Sequence, residues 1–338
     1  MDELAPMRRK PTIRDVASVA GVSRTTVSRV VNGGRWVSPD ARRAVETAIA
    51  ATGFTANHHA RSLATGRADS VAFLLTEPQH LLFSDPNFAL LLRGAAAALA
   101  ARGKTLVLLV AGTAAERTRV QEYVSAGHVD GVLLVSPHES DPLPASLRRA
   151  GVSTVSCGQL LGLPGEVPTV SIDEAASARA MTRHLLGQGH RRIAMIAGPV
   201  DTPGGRYRLE GFREALGNAF DPLLVEAGDY SFASGASAMT RLLGRDAGID
   251  AVFAASDLMA AGALSALRQA GIRVPEDLAV AGFDDSGIAA AQEPPLTTMR
   301  QPWDRISETM VGMLLDVVDG VPRRPVILPT ELVVRASA

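Results

Sequence analysis

Residues Thr12 to Asn32 (TIRDVASVAGVSRTTVSRVVN) read as two short helices joined by a glycine turn, a pattern that leaves the chain's N-terminal end few other folds. Thr12 is placed to cap the first helix, with Asp15 three residues on in a capping-box position, and Ile13, Val16, Ala17 and Ala20 share one face. Gly21 breaks that helix, Val22 continues the apolar seam, and Ser23 is placed to cap a second helix that turns Val27, Val30 and Val31 inward. Arg24, Thr25, Thr26, Ser28 and Arg29 are left facing out. Helix N-terminal amides, short hydroxyls and guanidinium groups together suit phosphates and base edges in a major groove, so double-stranded DNA is the first partner to consider. An ordinary surface αα-hairpin with a polar outer face has the same periodicity.

Charge separates the two readings. The chain carries 34 Lys and Arg against 35 Asp and Glu, which says nothing about partners until it is divided. Residues 1–66 hold ten basic and five acidic side chains, leaving 24 basic and 30 acidic behind them. A basic head supplies salt-dependent attraction to phosphate while an acidic body stays off the duplex. Ser38-Pro39 then opens a third helix with the stripe Ala41, Val45, Ala48 and Ile49, ending at Gly53. In the following TANHHARSLATG, Asn57 can cap a short helix from His58 to Ala64, too short to be stable in water unless it docks on something else.

The remaining ~270 residues alternate apolar strand-like runs with helical patterns and suggest two lobes. Ser70 to Leu75, Thr105 to Val110, Gly131 to Val135 and Thr154 to Ser156 read as buried strands, separated by helices over Phe88 to Ala101, Ala114 to Ala126 and Leu143 to Ala150. The rhythm restarts with Thr169 to Ile172, Ile193 to Ala197, Leu224 to Glu226, Ala251 to Ala255 and Leu278 to Gly282. Such βαβ units predict two consecutive doubly wound α/β blocks with parallel sheets, ligands at the carboxyl ends of their strands, and hinge closure around a small molecule.

Several classes are set aside. The chain lacks GxGxxG after its first strand, GxxxxGK[ST], GxSxG, HExxH and paired cysteines, so neither an enzyme nor a cofactor or metal is expected. Its seven histidines are scattered, and Asp284-Asp285 sits at a strand end where carboxylates hydrogen-bond ligands or cap helices. Cys157, the single cysteine, reads as a small buried side chain. MDELAPMRRKP lacks the apolar run of a signal peptide and no stretch reaches the ~18 apolar residues of a membrane span, so a cytoplasmic protein is expected.

Over nearly its whole length the chain resembles the lactose-repressor/galactose-repressor (LacI/GalR) family. The similarity rests on TIRDVASVAGVSRTTVSRVVN, VSPDARRAVETAIAATGF, ARSLATG, VDGVLLVSP, HRRIAMIAGP with RYRLEGFREAL, DAVFAASDLMAAGALSALRQAGIRVPEDLAVAGFDD and PPLTTMRQP. The resemblance implies an all-α helix-turn-helix head over 1–56, a hinge helix and linker over 57–68, and a periplasmic-binding-protein-like core over 69–338 that binds an effector and dimerises. It implies a repressor that grips a pseudo-palindromic operator as a homodimer. DNA contacts fall on Thr12, Ser23, Arg24, Thr25, Thr26, Ser28, Arg29 and Asn32 in the head. In the hinge they fall on Asn57, Ala60, Leu63 and Ala64, with Leu63 as a minor-groove wedge or, alternatively, a leucine packed on the core. Ala56 stands where the family usually has proline.

For the effector the resemblance implies Phe88, Arg208, Ser256, Asp257, Asp284 and Trp303. A guanidinium and a carboxylate beside aromatic rings suit a sugar or sugar phosphate, with a purine or other metabolite as the alternative; an inter-lobe salt bridge between Arg208 and Asp284 is the purely structural reading. Gly158-Gln159 and Glu174 depart from residues the family often uses for its sugars. ELVVRASA lacks further leucine heptads, so a dimer is expected rather than a tetramer. Whether the effector induces or co-represses is left open.

Overall fold

The computed structural model describes residues 11–31, 36–54, 66–245 and 248–338, and the chain divides into two compact units that meet between Ala68 and Asp69. In the first unit, α1 (Ile13–Ala20), α2 (Arg24–Val31) and α3 (Pro39–Thr52) enclose a small core of Val16, Ala17, Val27, Val30, Val45 and Ala48. Each boundary has a local cause. The Asp15 carboxylate accepts from the Thr12 N–H at 2.6 Å and from its hydroxyl at 2.7 Å. Gly21 takes the left-handed conformation that ends α1, at φ 65°, and Ser38 caps α3 ahead of Pro39 by accepting from the Ala41 N–H.

The second unit contains two parallel-sheet lobes. The first is built from β1 (Ser70–Leu75), α4 (Gln79–Ser84), α5 (Pro86–Ala100), β2 (Thr105–Val110), α6 (Ala114–Ser125), β3 (Gly131–Val135), α7 (Leu143–Arg149), β4 (Thr154–Cys157) and β5 (Thr169–Ile172). The chain then crosses, and the second lobe takes α8 (Glu174–Gly187), β6 (Ile193–Ala197), α9 (Pro203–Leu216), β7 (Val225–Ala227), α10 (Phe232–Leu243), β8 (Ala251–Ala254), α11 (Asp257–Gln269), β9 (Ala279–Asp284) and β10 (Thr297–Arg300). It returns for α12 (Trp303–Val318) and β11 (Val326–Leu328), and crosses a third time into β12 (Glu331–Val333). The sheets run β11-β5-β4-β3-β1-β2 and β12-β10-β9-β8-β6-β7, parallel except for β10 with β12.

The central strands are apolar on both faces, as strands covered by helices on both sides must be. Val71 to Leu75, Gly131 to Val135 and Ile193 to Ala197 are buried throughout. β2, at a sheet edge, is half exposed, with Leu108 at 40%.

This corrects the expectation of two consecutive blocks. Thr169–Ile172 does not restart the rhythm in a second lobe. It extends the first sheet beside β4, with Ser156 opposite Thr169, and only the helix after it joins the second lobe, packing on α9. α12 likewise packs on α5, β3, β4 and β5 of the first lobe. Short α4 was not foreseen, and β9 runs two residues further than expected, to Asp284.

In the second lobe α10 and α11 pack so closely that only glycine fits at the contact. A Cβ on Gly235 would lie 2.2 Å from the Met259 carbonyl oxygen, and one on Gly262 would lie 2.1 Å from that of Phe232. Backbone cannot yield there as a flexible side chain would, so Gly235→Ala is expected to lower stability by about 1–3 kcal/mol. An unchanged urea midpoint in equilibrium unfolding would contradict this packing.

Candidate functional site

Two surfaces carry the sequence-derived candidates. On the head, Arg24, Thr25 and Arg29 are exposed, while Thr26 and Ser28 are half-buried. The Ser23 hydroxyl accepts from the Thr26 N–H at 3.1 Å and lies 2.9 Å from the Thr26 hydroxyl, so both are engaged in starting α2, as Thr12 is in starting α1. The long donors left projecting from α2 are thus Arg24 and Arg29. Asn32, Asn57, Ala60, Leu63 and Ala64 lie outside the described residues.

The second site is a cavity of about 790 Å³ between the two lobes. It opens at the carboxyl ends of the strands, beside the places where each sheet reverses its strand order, between β1 and β3 and between β6 and β8. Phe88, Leu91, Ile172, Tyr230, Trp303 and Ile306 give it apolar walls. Among its lining residues, Ser136, Tyr230 and Asp284 hold positive φ angles of 58°, 68° and 120°, a cost that accumulates where geometry is held for binding.

Asp284 organises the polar side. At the end of β9 it is 2% exposed; its Oδ1 accepts from Gln301 Nε2 at 2.8 Å and, more distantly, from Arg208 Nη1 at 3.5 Å. Its Oδ2 accepts from Asn87 Nδ2 of the first lobe at 2.9 Å, and its carbonyl accepts from Trp303 Nε1 at 3.1 Å. Arg208, on α9, donates to Glu174 at 2.7 Å and to the Ala255 carbonyl at 2.6 Å, with its guanidinium carbon 3.7 Å from the centre of the Phe283 ring. Burial works against the charge on Arg208, but the carboxylates of Glu174 and Asp284 outweigh it and raise the group above its ordinary range. Burial pushes the Asp284 carboxyl up to about 6 against the pull of Arg208, and burial with the nearby Asp284 charge pushes Asp85 up to about 7.

Phe88, Arg208, Asp284 and Trp303 are therefore brought together, and Ser256 and Asp257 are not. The Ser256 hydroxyl caps α11 by accepting from the Met259 N–H, and Asp257 is buried behind the strand ends, accepting from the Thr298 hydroxyl at 2.6 Å and the Asp285 N–H at 2.7 Å. Neither lines the cavity. Arg208 and Asp284 both belong to the second lobe, which removes the reading of an ion pair between lobes. Cys157, expected as core filler, stands on the cavity wall, where burial pushes its thiol up to about 12. Glu174, noted as a departure from the family's usual residue, lines the cavity, and so do Asn87, Gln301, Asp85, Tyr230 and His138, which had not been singled out.

A helix-turn-helix unit joined to a two-lobed core with a ligand-sized cleft defines a DNA-binding regulator governed by a small molecule. The comparisons fix the family. Residues 12–57 match the family described as "Bacterial regulatory proteins, lacI family", and residues 182–338 match "Periplasmic binding protein-like domain". The chain is 47% identical over 336 residues to the HTH-type transcriptional regulator CelR of Thermobifida fusca, covering 98% of this chain and 99% of that one. It is 33% identical over 308 residues to the ribose operon repressor of Escherichia coli K12, covering 90% and 92%.

Among solved structures it is similar to a transcriptional regulator CelR-cellobiose complex, at 44% identity and TM-score 0.78 over 97% of this chain and all of that one. It is also similar to the Lac repressor dimer bound to operator and the anti-inducer ONPF, at 28% identity and TM-score 0.86 over 97% and 99%. The chain belongs to the LacI family of bacterial transcriptional regulators, and these relatives are regulators rather than enzymes. Among the described residues no helix is long and apolar enough to cross a membrane.

Because Asp257 is the buried partner of both Thr298 and the Asp285 amide, its role is architectural. Asp257→Ala is expected to destabilise the protein by about 1–3 kcal/mol by leaving those donors unpaired. Full stability in chemical denaturation would contradict that role.

Proposed function

We propose that this regulator represses transcription as a homodimer on a pseudo-palindromic operator and is controlled by an uncharged sugar held between its lobes. Residues 1–56 serve as the DNA-binding head, 57–68 as the hinge and 69–338 as the effector-binding and dimerisation core of a cytoplasmic protein. The observation that carries the effector reading is the presence of the Asp284 carboxylate, the Arg208 guanidinium and the Phe88 and Trp303 rings around one cavity. Carboxylate and guanidinium groups read vicinal hydroxyls, and aromatic walls cover the apolar faces of pyranose rings.

Charge narrows the class. Glu77, Asp85, Glu174, Asp229 and Asp284 line the cavity against one guanidinium, with the imidazoles of His80 and His138 at its margin. A phosphate group would meet more carboxylates than cations, so the unphosphorylated sugar is favoured over the sugar phosphate. The likeness to CelR, whose complex contains cellobiose, makes a neutral β-linked glucose disaccharide the first ligand to try.

Cellobiose is expected to raise the melting temperature and to give saturable heats in calorimetric titration, while a phosphorylated disaccharide gives neither. Arg208→Lys, which keeps the charge but loses the planar fork, should weaken cellobiose tenfold or more. Tighter binding of the phosphorylated sugar would defeat this charge argument. On the DNA side, Thr25 beside Arg24 shares the base-reading end of α2, while Thr12, Ser23, Thr26, Ser28, Arg29 and Asn32 hold the backbone. Arg24→Ala should relax discrimination at one operator position by about 1–3 kcal/mol. Equal losses across all single-base operator variants would make Arg24 a phosphate contact instead.

A further inference from the structure

At the mouth of the cavity, away from Asp284, the loop after β3 of the first lobe meets the turn that leads into α9 of the second. Three polar contacts cross between the lobes there. The Glu139 N–H donates to the Asp201 carbonyl at 2.8 Å. The Arg206 guanidinium grips the Glu139 carboxylate through both terminal nitrogens, one at 3.0 Å. His138 Nδ1 lies 2.8 Å from the Asp201 carboxylate, while its Nε2 lies 3.0 Å from Glu77 of its own lobe. His138 and Glu77 also line the cavity.

We propose that His138, Glu139, Asp201 and Arg206 form a clasp that holds the two lobes closed, with the charge on His138 as the part that pH can withdraw. The groups facing the imidazole are the carboxylates of Glu77 and Asp201, with Glu139 and Arg206 beside them; Arg206 is occupied by Glu139 and by the Val200 carbonyl. With ring nitrogens directed at two carboxylates, the imidazole has acceptors on both sides and is stable as the cation. The Glu77 hydrogen bond is the largest influence raising His138 to about 9; burial opposes it and Asp201 adds to it. Glu77 therefore keeps the proton on within one lobe, and Asp201 responds to that charge from the other. The cross-lobe attraction is complete below the ordinary imidazole range, persists at neutral pH, and fades as pH rises through about 9.

Since Arg206 and Glu139 are partly exposed, their pair is weak by itself and screened by salt. It gains effect by sharing a short segment with an inter-lobe backbone hydrogen bond. A ligand that binds the closed form has its apparent affinity multiplied by the closed fraction, so loosening the clasp through Glu139 or Arg206, which do not line the cavity, reaches the effector without touching it.

The test uses the full chain and the backbone amide that belongs to the clasp. Hydrogen exchange at the Glu139 N–H, read by mass spectrometry on peptides covering residues 131–141, should speed up about two- to fivefold in Glu139→Arg, Arg206→Glu and His138→Gln at fixed pH. The double reversal Glu139→Arg with Arg206→Glu should restore protection, since it rebuilds the ion pair with its poles exchanged. Between pH 7 and pH 9.5 the wild type should lose protection relative to His138→Gln after correction for intrinsic exchange.

Cellobiose affinity should fall in Glu139→Arg and Arg206→Glu in proportion to the closed fraction, by less than the exchange factor wherever the closed form predominates, and recover in the double. Unchanged protection in all three single variants, or a double reversal no better than its worse parent, overturns the clasp. Because the exchange arm needs no sugar, failure of cellobiose to bind the wild type overturns the effector reading alone.

Discussion

The chain passes between the two lobes three times, after Ile172, after Arg300 and after Leu328, and the rest of the core is arranged around that constraint. Three covalent strands side by side let the lobes rotate about a common axis but not separate. The cleft they bound is therefore a permanent feature whose width varies, which a ligand-governed switch requires. Polar groups that fix the site lie at or near these crossings: Glu174 just after the first, Gln301 and Trp303 at the second. Asp284 receives hydrogen bonds from the first lobe through Asn87 and from a crossing segment through Gln301, so lobe rotation must be felt at the carboxylate that faces the ligand space.

Binding and closure thus share atoms. The inner contact, Asn87 to Asp284, lies within the cavity, and the outer one joins the His138–Glu139 segment to Asp201 and Arg206 at its mouth. A buried group with a fixed set of donors discriminates sharply, while partly exposed ion pairs are individually weak and responsive to salt and pH. Such a division of labour gives specificity to the interior and adjustability to the rim.

The strands that make up most of both sheets were legible because a strand covered on both faces is apolar along its length, as Val71 to Leu75 and Ile193 to Ala197 are. The three head helices were legible through their caps and breakers: Asp15 on Thr12, Gly21, Ser38-Pro39 and Gly53. Crossings were not legible, because which sheet a strand joins is decided by distant partners; β5 reads the same whether it ends one lobe or begins the next. β11 and β12 are three residues each, too short to carry a period. Within the site, Arg208 and Asp284 came from the family resemblance, through RYRLEGF and GFDD, but the same resemblance carried Ser256 and Asp257 along, since adjacency to a strand end does not say whether a side chain faces the cleft or the helix behind it. Asn87 and His138 belong to no motif. The one available signal was their place beside prolines after an apolar run, in DPN and SPH.

The two sheets share one plan, in which β2-β1-β3-β4-β5 of the first is repeated as β7-β6-β8-β9-β10 of the second, and each then receives a sixth strand from the far end of the chain. The first lobe also waits for α12, whose Ser307 hydroxyl donates to the Leu91 carbonyl of α5 at 3.2 Å. Neither half can finish its own layers until almost all of the polypeptide has left the ribosome. A contiguous piece ending near residue 172 would keep five strands yet leave one flank of its sheet bare and greasy, so dissecting this regulator into separately expressed lobes requires rejoining the tail segments to their proper bodies.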